Sequence, residues 1–195
     1  MARTLAICLA VLAGRVAPAD AQQRASFPLE PGLTWTYRGY VRWAGSDQRV
    51  HGDSITWTTK IVVVRTGPAA RAALVRGWVQ DLAWHEPSKQ PAYGVLILRG
   101  GQLYHIAADD SVGATVLVES SVRAGAPAPE RSGLVFDSTV AIGRVAGRDT
   151  VTVEYRSLPD YQAIDLVPGV GITRFVYVHH GTVAETDVRL RSVRR

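Results

Sequence analysis

The chain has 195 residues, 22 lysines and arginines against 17 acidic residues, and a net charge of +5. This length fits one domain that buries a sizeable core. The basic residues are scattered along the chain, which excludes the concentrated basic footprint of a nucleic-acid-binding protein, so no nucleic-acid partner is predicted.

Residues 1–21 have the features of a secretory signal peptide. Arg3 supplies a positive start, residues 5–13 form an apolar stretch too short to cross a bilayer, and residues 19–21 (Ala-Asp-Ala) fit the cleavage pattern. A membrane anchor or a buried core segment are the alternatives to cleavage. We predict cleavage before Gln22, a periplasmic or secreted location, and no transmembrane span afterwards.

The only cysteine, Cys8, lies inside this predicted leader. It follows too few residues to be the lipid-modified cysteine of a lipoprotein. Its removal would leave a mature chain without disulfide bonds, so the hydrophobic core alone must stabilise the domain.

Residues 22–195 predict a single all-β domain, because apolar residues alternate with polar ones in one segment after another. Residues 61–64 are apolar on both faces, which indicates a more deeply buried strand, and no long helical periodicity occurs. We expect a curved antiparallel sheet of about nine to eleven strands that forms a half-barrel or a barrel. The predicted strands are residues 33–43, 54–65, 73–84, 93–99, 102–107, 114–119, 150–156, 170–179 and 183–191, with a further short segment at 134–137 and a strand pair around 146–149.

Two segments near the ends of the chain carry a resemblance. Residues 27–37 read FPLEPGLTWTY, and residues 167–172 read VPGVGI before an aromatic strand that contains Tyr177. This combination resembles a recurring pattern in exported bacterial β-proteins, many of them uncharacterised. Their fold is similar to that of the lipoprotein carriers typified by LolA and LppX, whose concave face binds acyl chains. The resemblance implies that fold and carries over no catalytic residue. In both segments a glycine, Gly32 and Gly169, suits a positive-φ turn position.

Aromatic residues in the first half of the chain are the candidate ligand-binding residues. All five tryptophans lie before residue 85, and in an open half-barrel some of them would line a concave apolar cavity. In a closed barrel the same residues would be core. The candidates are Trp35, Tyr37, Trp57, Trp78 and Trp84.

Catalytic and metal-binding motifs are absent from the sequence. The five histidines are scattered, and His179 and His180 are adjacent on a strand, so they point to opposite faces. Asp109-Asp110 lacks the alternating spacing of a calcium loop and is better explained as a turn. We predict no catalytic residue, no metal site and no cofactor.

The sequence therefore favours a non-catalytic binding protein for an apolar or amphipathic ligand, such as a lipid or acyl chain, in the concave face of the sheet. The alternative is a structural or interaction module that binds a cell-envelope protein through a sheet edge or through the loop at residues 124–133. A hydrolase is the third hypothesis, and it predicts polar residues, including a histidine, that converge in one cleft.

Overall fold

A computed structural model describes residues 27–99, 102–107, 115–119, 137–145 and 148–195. The predicted signal peptide with Cys8, the turns at residues 100–101 and 109–113, and the loop at 124–133 lie outside these ranges.

The described chain is an all-β half-barrel made of one antiparallel sheet. Its eleven strands are β1 (Thr34–Ala44), β2 (Val50–Thr66), β3 (Ala70–Arg76), β4 (Tyr93–Arg99), β5 (Gln102–Ala107), β6 (Thr115–Glu119), β7 (Asp137–Val145), β8 (Arg148–Arg156), β9 (Asp160–Val167), β10 (Gly171–His179) and β11 (Ala184–Arg194). They follow the order β6-β5-β4-β3-β2-β1-β11-β10-β9-β8-β7 in the sheet. The first and last strands pair at the centre of this order, and neighbouring strands elsewhere are joined in chain order, so the predicted curved sheet is confirmed.

The predicted strand at residues 73–84 is wrong in its second half. Strand β3 ends at Arg76, and a short 3₁₀ helix, Val79–Leu82, follows. Gly77 separates the two with a φ of 66°, a conformation that disfavours other residues. Its carbonyl accepts hydrogen bonds from Trp57 Nε1 and Thr59 Oγ1, which fix the chain where it leaves the sheet.

Gly77→Ala is expected to lower the free energy of unfolding by about 1–3 kcal/mol, since strain at a special φ adds to a steric clash. A Cβ atom at this position would lie 2.5 Å from the Thr58 carbonyl oxygen. Urea denaturation followed by circular dichroism measures the loss. Gly67→Ala is the control, because its nearest neighbour to a new Cβ is 3.7 Å away. Equal stability of the two variants would contradict the role assigned to Gly77.

The expectation that residues 61–64 are buried on both faces is also wrong. Ile61 is buried and Val64 is half-buried, but Val62 and Val63 are exposed. The register of β2 against β3 shifts between Ile61 and Val63, so a β-bulge interrupts the alternation there. This part of the sheet is covered on one face only.

The core lies on the inner face of the sheet and is completed by two segments that are not strands. Residues 27–33 contribute Phe27, Leu29 and Leu33, and the 3₁₀ helix contributes Val79 and Leu82. These side chains join the inward-facing residues of the strands in one cluster. The described inner face is therefore packed by the protein's own side chains.

The two segments that carry the resemblance, residues 27–37 and 167–172, contact each other at this core. Trp35 Nε1 donates a hydrogen bond to the Val170 carbonyl (2.6 Å), and the Tyr37 hydroxyl donates to the Ile172 carbonyl (3.0 Å). Complete burial raises the pKa of Tyr37. The φ angles of Gly32 and Gly169 are 84° and 72°, which confirms the predicted turn geometry.

Candidate functional site at one end of the half-barrel

Four of the five predicted ligand-binding residues lie in the core. Trp35, Tyr37, Trp57 and Trp78 are between 0% and 5% exposed, whereas Trp84 is 49% exposed. The buried indole nitrogens are also engaged, for example Trp78 Nε1 with Gln80 Oε1 at 3.0 Å. Ligand contact by these four residues stays a prediction. Among the five candidates, Trp84 has by far the largest solvent-exposed fraction.

Trp84 adopts an unusual backbone conformation for a bulky residue, with a φ of 56°. This left-handed conformation disfavours a residue with a large side chain. The indole ring lies 4.4 Å from the ring of His179 and 5.9 Å from that of Tyr177, measured between centroids. Trp84 is thus held over two aromatic side chains of β10 while about half of it stays open to solvent.

Two hydrogen bonds hold the chain that leads to Trp84. Thr186 Oγ1, on β11, donates to the Leu82 carbonyl at 2.7 Å, and Lys89 Nζ donates to the Ala83 carbonyl at 3.0 Å. Thr186 is buried, so the first contact connects the end of the 3₁₀ helix to the sheet. Such contacts support the strained conformation that follows, because strain persists only where the surroundings enforce it.

Asp160 connects the two aromatic residues beneath Trp84. Its Oδ1 atom accepts a hydrogen bond from the Tyr177 hydroxyl at 2.6 Å and lies 2.9 Å from His179 Nδ1. Asp160 opens β9 and stands opposite His179 in the register of β9 and β10, which explains the contact. We call Trp84, Asp160, Tyr177 and His179 the Trp84 cluster.

A second aromatic group, around Trp43, lies at the same end of the sheet. The Trp43 ring is stacked on His51 with centroids 5.7 Å apart and makes an edge contact with His85 at 6.0 Å. Trp43 and His179 both pair with Ala184 on β11, which places the two groups at one level of the sheet. His51 also hydrogen-bonds to Asp47, and this contact lowers the pKa of Asp47.

His85, at this end of the sheet, makes the folding stability of the protein depend on pH. Partial burial, followed by the positive charge of Lys89, lowers its pKa below the usual 6.5. Its Nδ1 atom is buried and has no hydrogen-bond partner among the described residues. The folded protein therefore favours the neutral imidazole.

We expect the free energy of unfolding to fall as the pH drops below 6.5, the usual pKa of histidine. The unfolded chain then takes up a proton at His85 that the folded chain resists, so the stabilisation present above this pH is lost on acidification. Urea denaturation at about pH 7.5 and about pH 5.5 measures the effect. The His85→Phe variant keeps an aromatic ring without a titrating group and should show a smaller loss; an unchanged loss would contradict the role of His85.

The described residues contain no group of three or more His, Cys, Asp or Glu side chains that could hold a metal ion. Within the same ranges, no helix is long and apolar enough to cross a membrane. The convergence of His179 with Asp160 and Tyr177 was not predicted from the sequence. The hydrolase hypothesis stays a prediction, as does the absence of catalytic residues and cofactors.

Comparison with solved structures identifies a known fold. One match is the crystal structure of a protein from Bacteroides fragilis that is described as exported and as having a YmcC-like fold. It has a TM-score of 0.50 and 11% sequence identity, and the match covers 88% of this chain and 100% of that one. A protein from Parabacteroides distasonis described as a lipoprotein matches with a TM-score of 0.44 and 14% identity, over 86% of this chain and 97% of that one.

The sequence matches no family model and no curated protein. At 11% identity the first structural likeness shows the fold alone. It supports the predicted resemblance to exported β-proteins at the level of architecture.

Proposed function

We propose that this protein is an exported, non-catalytic binding protein for an amphipathic ligand, held by the Trp84 cluster at one end of the half-barrel. The observation that carries the proposal is the exposed Trp84, kept in a left-handed conformation over a hydrogen-bonded Asp160, Tyr177 and His179. Strained backbone at an exposed aromatic residue is a feature of binding sites rather than of packing.

The apolar part of the site is the open face of Trp84. A tryptophan offers a large apolar area with little conformational entropy to lose, which suits it to contact an alkyl chain. The exposed Leu158, in the turn between β8 and β9, precedes Asp160 by two residues and adds apolar surface at this end of the sheet.

The polar part of the site is the carboxylate of Asp160 with its two hydrogen-bonding neighbours. Its side chain is 41% exposed, and an ionised carboxylate accepts hydrogen bonds but donates none. The site therefore favours a head group with hydrogen-bond donors, such as the hydroxyls of a monoacylglycerol, over a bare carboxylate, which Asp160 would repel.

The lipoprotein-carrier resemblance supports the ligand class, while the packing of the inner face changes the proposed position of the ligand. In the carriers typified by LolA and LppX the acyl chains occupy the concave face. Here that face is filled in the described residues by the protein's own aliphatic and aromatic side chains. We accordingly place the ligand at the end of the concave face rather than along it.

The proposal is tested by titrating the purified protein with 1-lauroylglycerol, an uncharged amphiphile, in an isothermal calorimeter. We expect saturable binding at one site per chain at concentrations below micelle formation. Native mass spectrometry of protein isolated from its producing cells, with lipid extraction of the same sample, then identifies the natural ligand class. The absence of saturable heat and of any copurifying amphiphile would contradict the proposal.

A second candidate is an interaction module that binds a cell-envelope protein. The observation that favours it is the 82% exposure of Leu158 at the same end of the sheet as the half-exposed Trp84, since exposed apolar side chains in one region mark contact surfaces. Crosslinking in intact cells would capture one partner with the native protein and lose it with Leu158→Ser. Retention of that partner by the variant would contradict this reading.

A further inference from the structure

A row of arginines crosses the outer face of the sheet. Arg38 on β1 stands directly opposite Arg189 on β11, and Arg189 stands directly opposite Arg174 on β10. Like charges placed opposite each other on neighbouring strands destabilise a sheet. Three consecutive cross-strand arginines therefore need a source of negative charge.

Protein carboxylates supply that charge at only part of the row. Arg174 forms a two-pronged contact with Asp187, with N–O distances of 3.0 and 2.8 Å, and Arg42 contacts both oxygens of Glu185 on the same face. Within the described ranges, Arg38 and Arg191 form no ion pair. On the β1–β2 side of the row, the positive charge is therefore not balanced by a protein carboxylate within the described residues.

A hollow of about 360 Å³ lies at this position. It is lined by Arg38, Gly39, Ser54, Ile55, Thr56 and Arg191. The volume is at the lower end of the range for small-molecule sites. A register shift in the pairing of β1 with β11, between Thr36 and Tyr37, leaves Arg191 as the extra residue of a β-bulge, with no partner residue directly opposite it on β1.

We propose that this hollow binds a phosphate group, which comes either from free inorganic phosphate or from the head group of a membrane lipid. Two guanidinium groups supply rigid, charged donors that match phosphate oxygens, and the hydroxyls of Ser54 and Thr56 supply further donors. The site lies on the outer face of the sheet and does not depend on the ligand of the Trp84 cluster.

The test measures the binding of two probes to the native protein and to one set of variants. Inorganic phosphate is titrated into the protein by calorimetry, and vesicles of phosphatidylcholine with and without phosphatidylglycerol are sedimented with it. The variants are Arg191→Gln and the pair Arg38→Gln with Arg191→Gln. The matched control is Arg49→Gln with Arg65→Gln, which removes the same charge from exposed positions outside the hollow.

We expect the Arg38/Arg191 variant to bind the probe at least about tenfold more weakly than the native protein, because charge-assisted hydrogen bonds are lost. The Arg49/Arg65 control should keep its affinity. Binding of phosphate but not of vesicles would identify free phosphate as the source, and binding of vesicles alone would identify the lipid head group. Failure of both probes, or equal weakening in the two double variants, would overturn the proposal.

Thermal denaturation separates this result from a loss of folding. Without phosphate, the Arg38/Arg191 variant should melt at or above the temperature of the native protein, because a like-charge contact is relieved. Phosphate should raise the melting temperature of the native protein and leave that of the variant unchanged. A phosphate-induced rise of equal size in both melting temperatures would also overturn the proposal.

Discussion

Trp35→Ala is expected to lower the free energy of unfolding by about 3–5 kcal/mol, the range found for large aromatic truncations in cores. Trp35 is fully buried, its ring packs 5.6 Å from that of Phe27, and its Nε1 atom donates to the Val170 carbonyl. The residue thereby connects the first strand, the segment before it and the turn that precedes β10. A loss of this size is a large fraction of the stability of a typical domain.

Chemical denaturation with circular dichroism measures the effect, and two further variants show its origin. Trp35→Phe keeps most of the ring volume but leaves the Val170 carbonyl without its donor, so we expect a smaller loss of about 1–3 kcal/mol. Tyr40→Ala removes a half-exposed aromatic residue from the outer face of the same strand. If Trp35→Ala costs no more than Tyr40→Ala, the role of Trp35 as a core residue is contradicted.

Trp84→Gly is expected to weaken binding of 1-lauroylglycerol at least about tenfold without lowering the melting temperature. Glycine adopts the left-handed conformation at this position without strain, which offsets the lost contacts with His179 and Tyr177. Binding and stability should therefore respond in different ways to the same substitution. Such a separation is typical of residues retained for function rather than for folding.

Calorimetry and thermal denaturation of the same samples measure the two effects. Tyr93→Ala is the matched control, since Tyr93 is 50% exposed, as Trp84 is 49% exposed. Tyr93 also lies far from the Trp84 cluster. It pairs with Arg76 on β3, and Arg76 pairs with Lys60 on β2. Lys60 is about 30 Å along β2 from His51, which lies at the level of the Trp84 cluster. Unchanged affinity of the Trp84→Gly variant would contradict the proposed site.

Much of the architecture could be predicted from the sequence because one side of most strands is buried. The alternation around Trp35 and Tyr37 correctly predicts β1, and both residues lie on its buried face. Strand β9 was missed because its burial does not alternate: Gln162, Ala163 and Ile164 are all buried. A strand that is covered on both faces lacks the period of two that the prediction depends on.

The residues around Gly77 show how a correct period can mislead. Leu74, Trp78, Leu82 and Trp84 occur at even spacing, which matches a strand. In the structure, Gly77 turns the chain away from the sheet, and Trp78 and Leu82 reach the core from the segment that packs on it. Hydrophobic burial alone does not distinguish a strand of the sheet from a segment that covers it.

The candidate site depends on contacts between residues that are distant in sequence. Asp160 meets Tyr177 and His179 only because β9 and β10 pair in one particular register, and Trp84 reaches them only because the 3₁₀ helix packs against the sheet. The sequence identified Trp84 as a candidate, since aromatic side chains dominate ligand sites. It contains no pattern that places Asp160 beneath that residue.

The most direct test of the proposed site is a nuclear magnetic resonance titration of the ¹⁵N-labelled protein with 1-lauroylglycerol. The five tryptophans provide five indole N–H signals, which single Trp→Phe variants assign. We predict that the Trp84 signal shifts with added ligand and saturates, while the signals of the buried Trp35, Trp57 and Trp78 stay in place. Shifts of those three signals with Trp84 unchanged would place the ligand within the inner face and contradict the site proposed here.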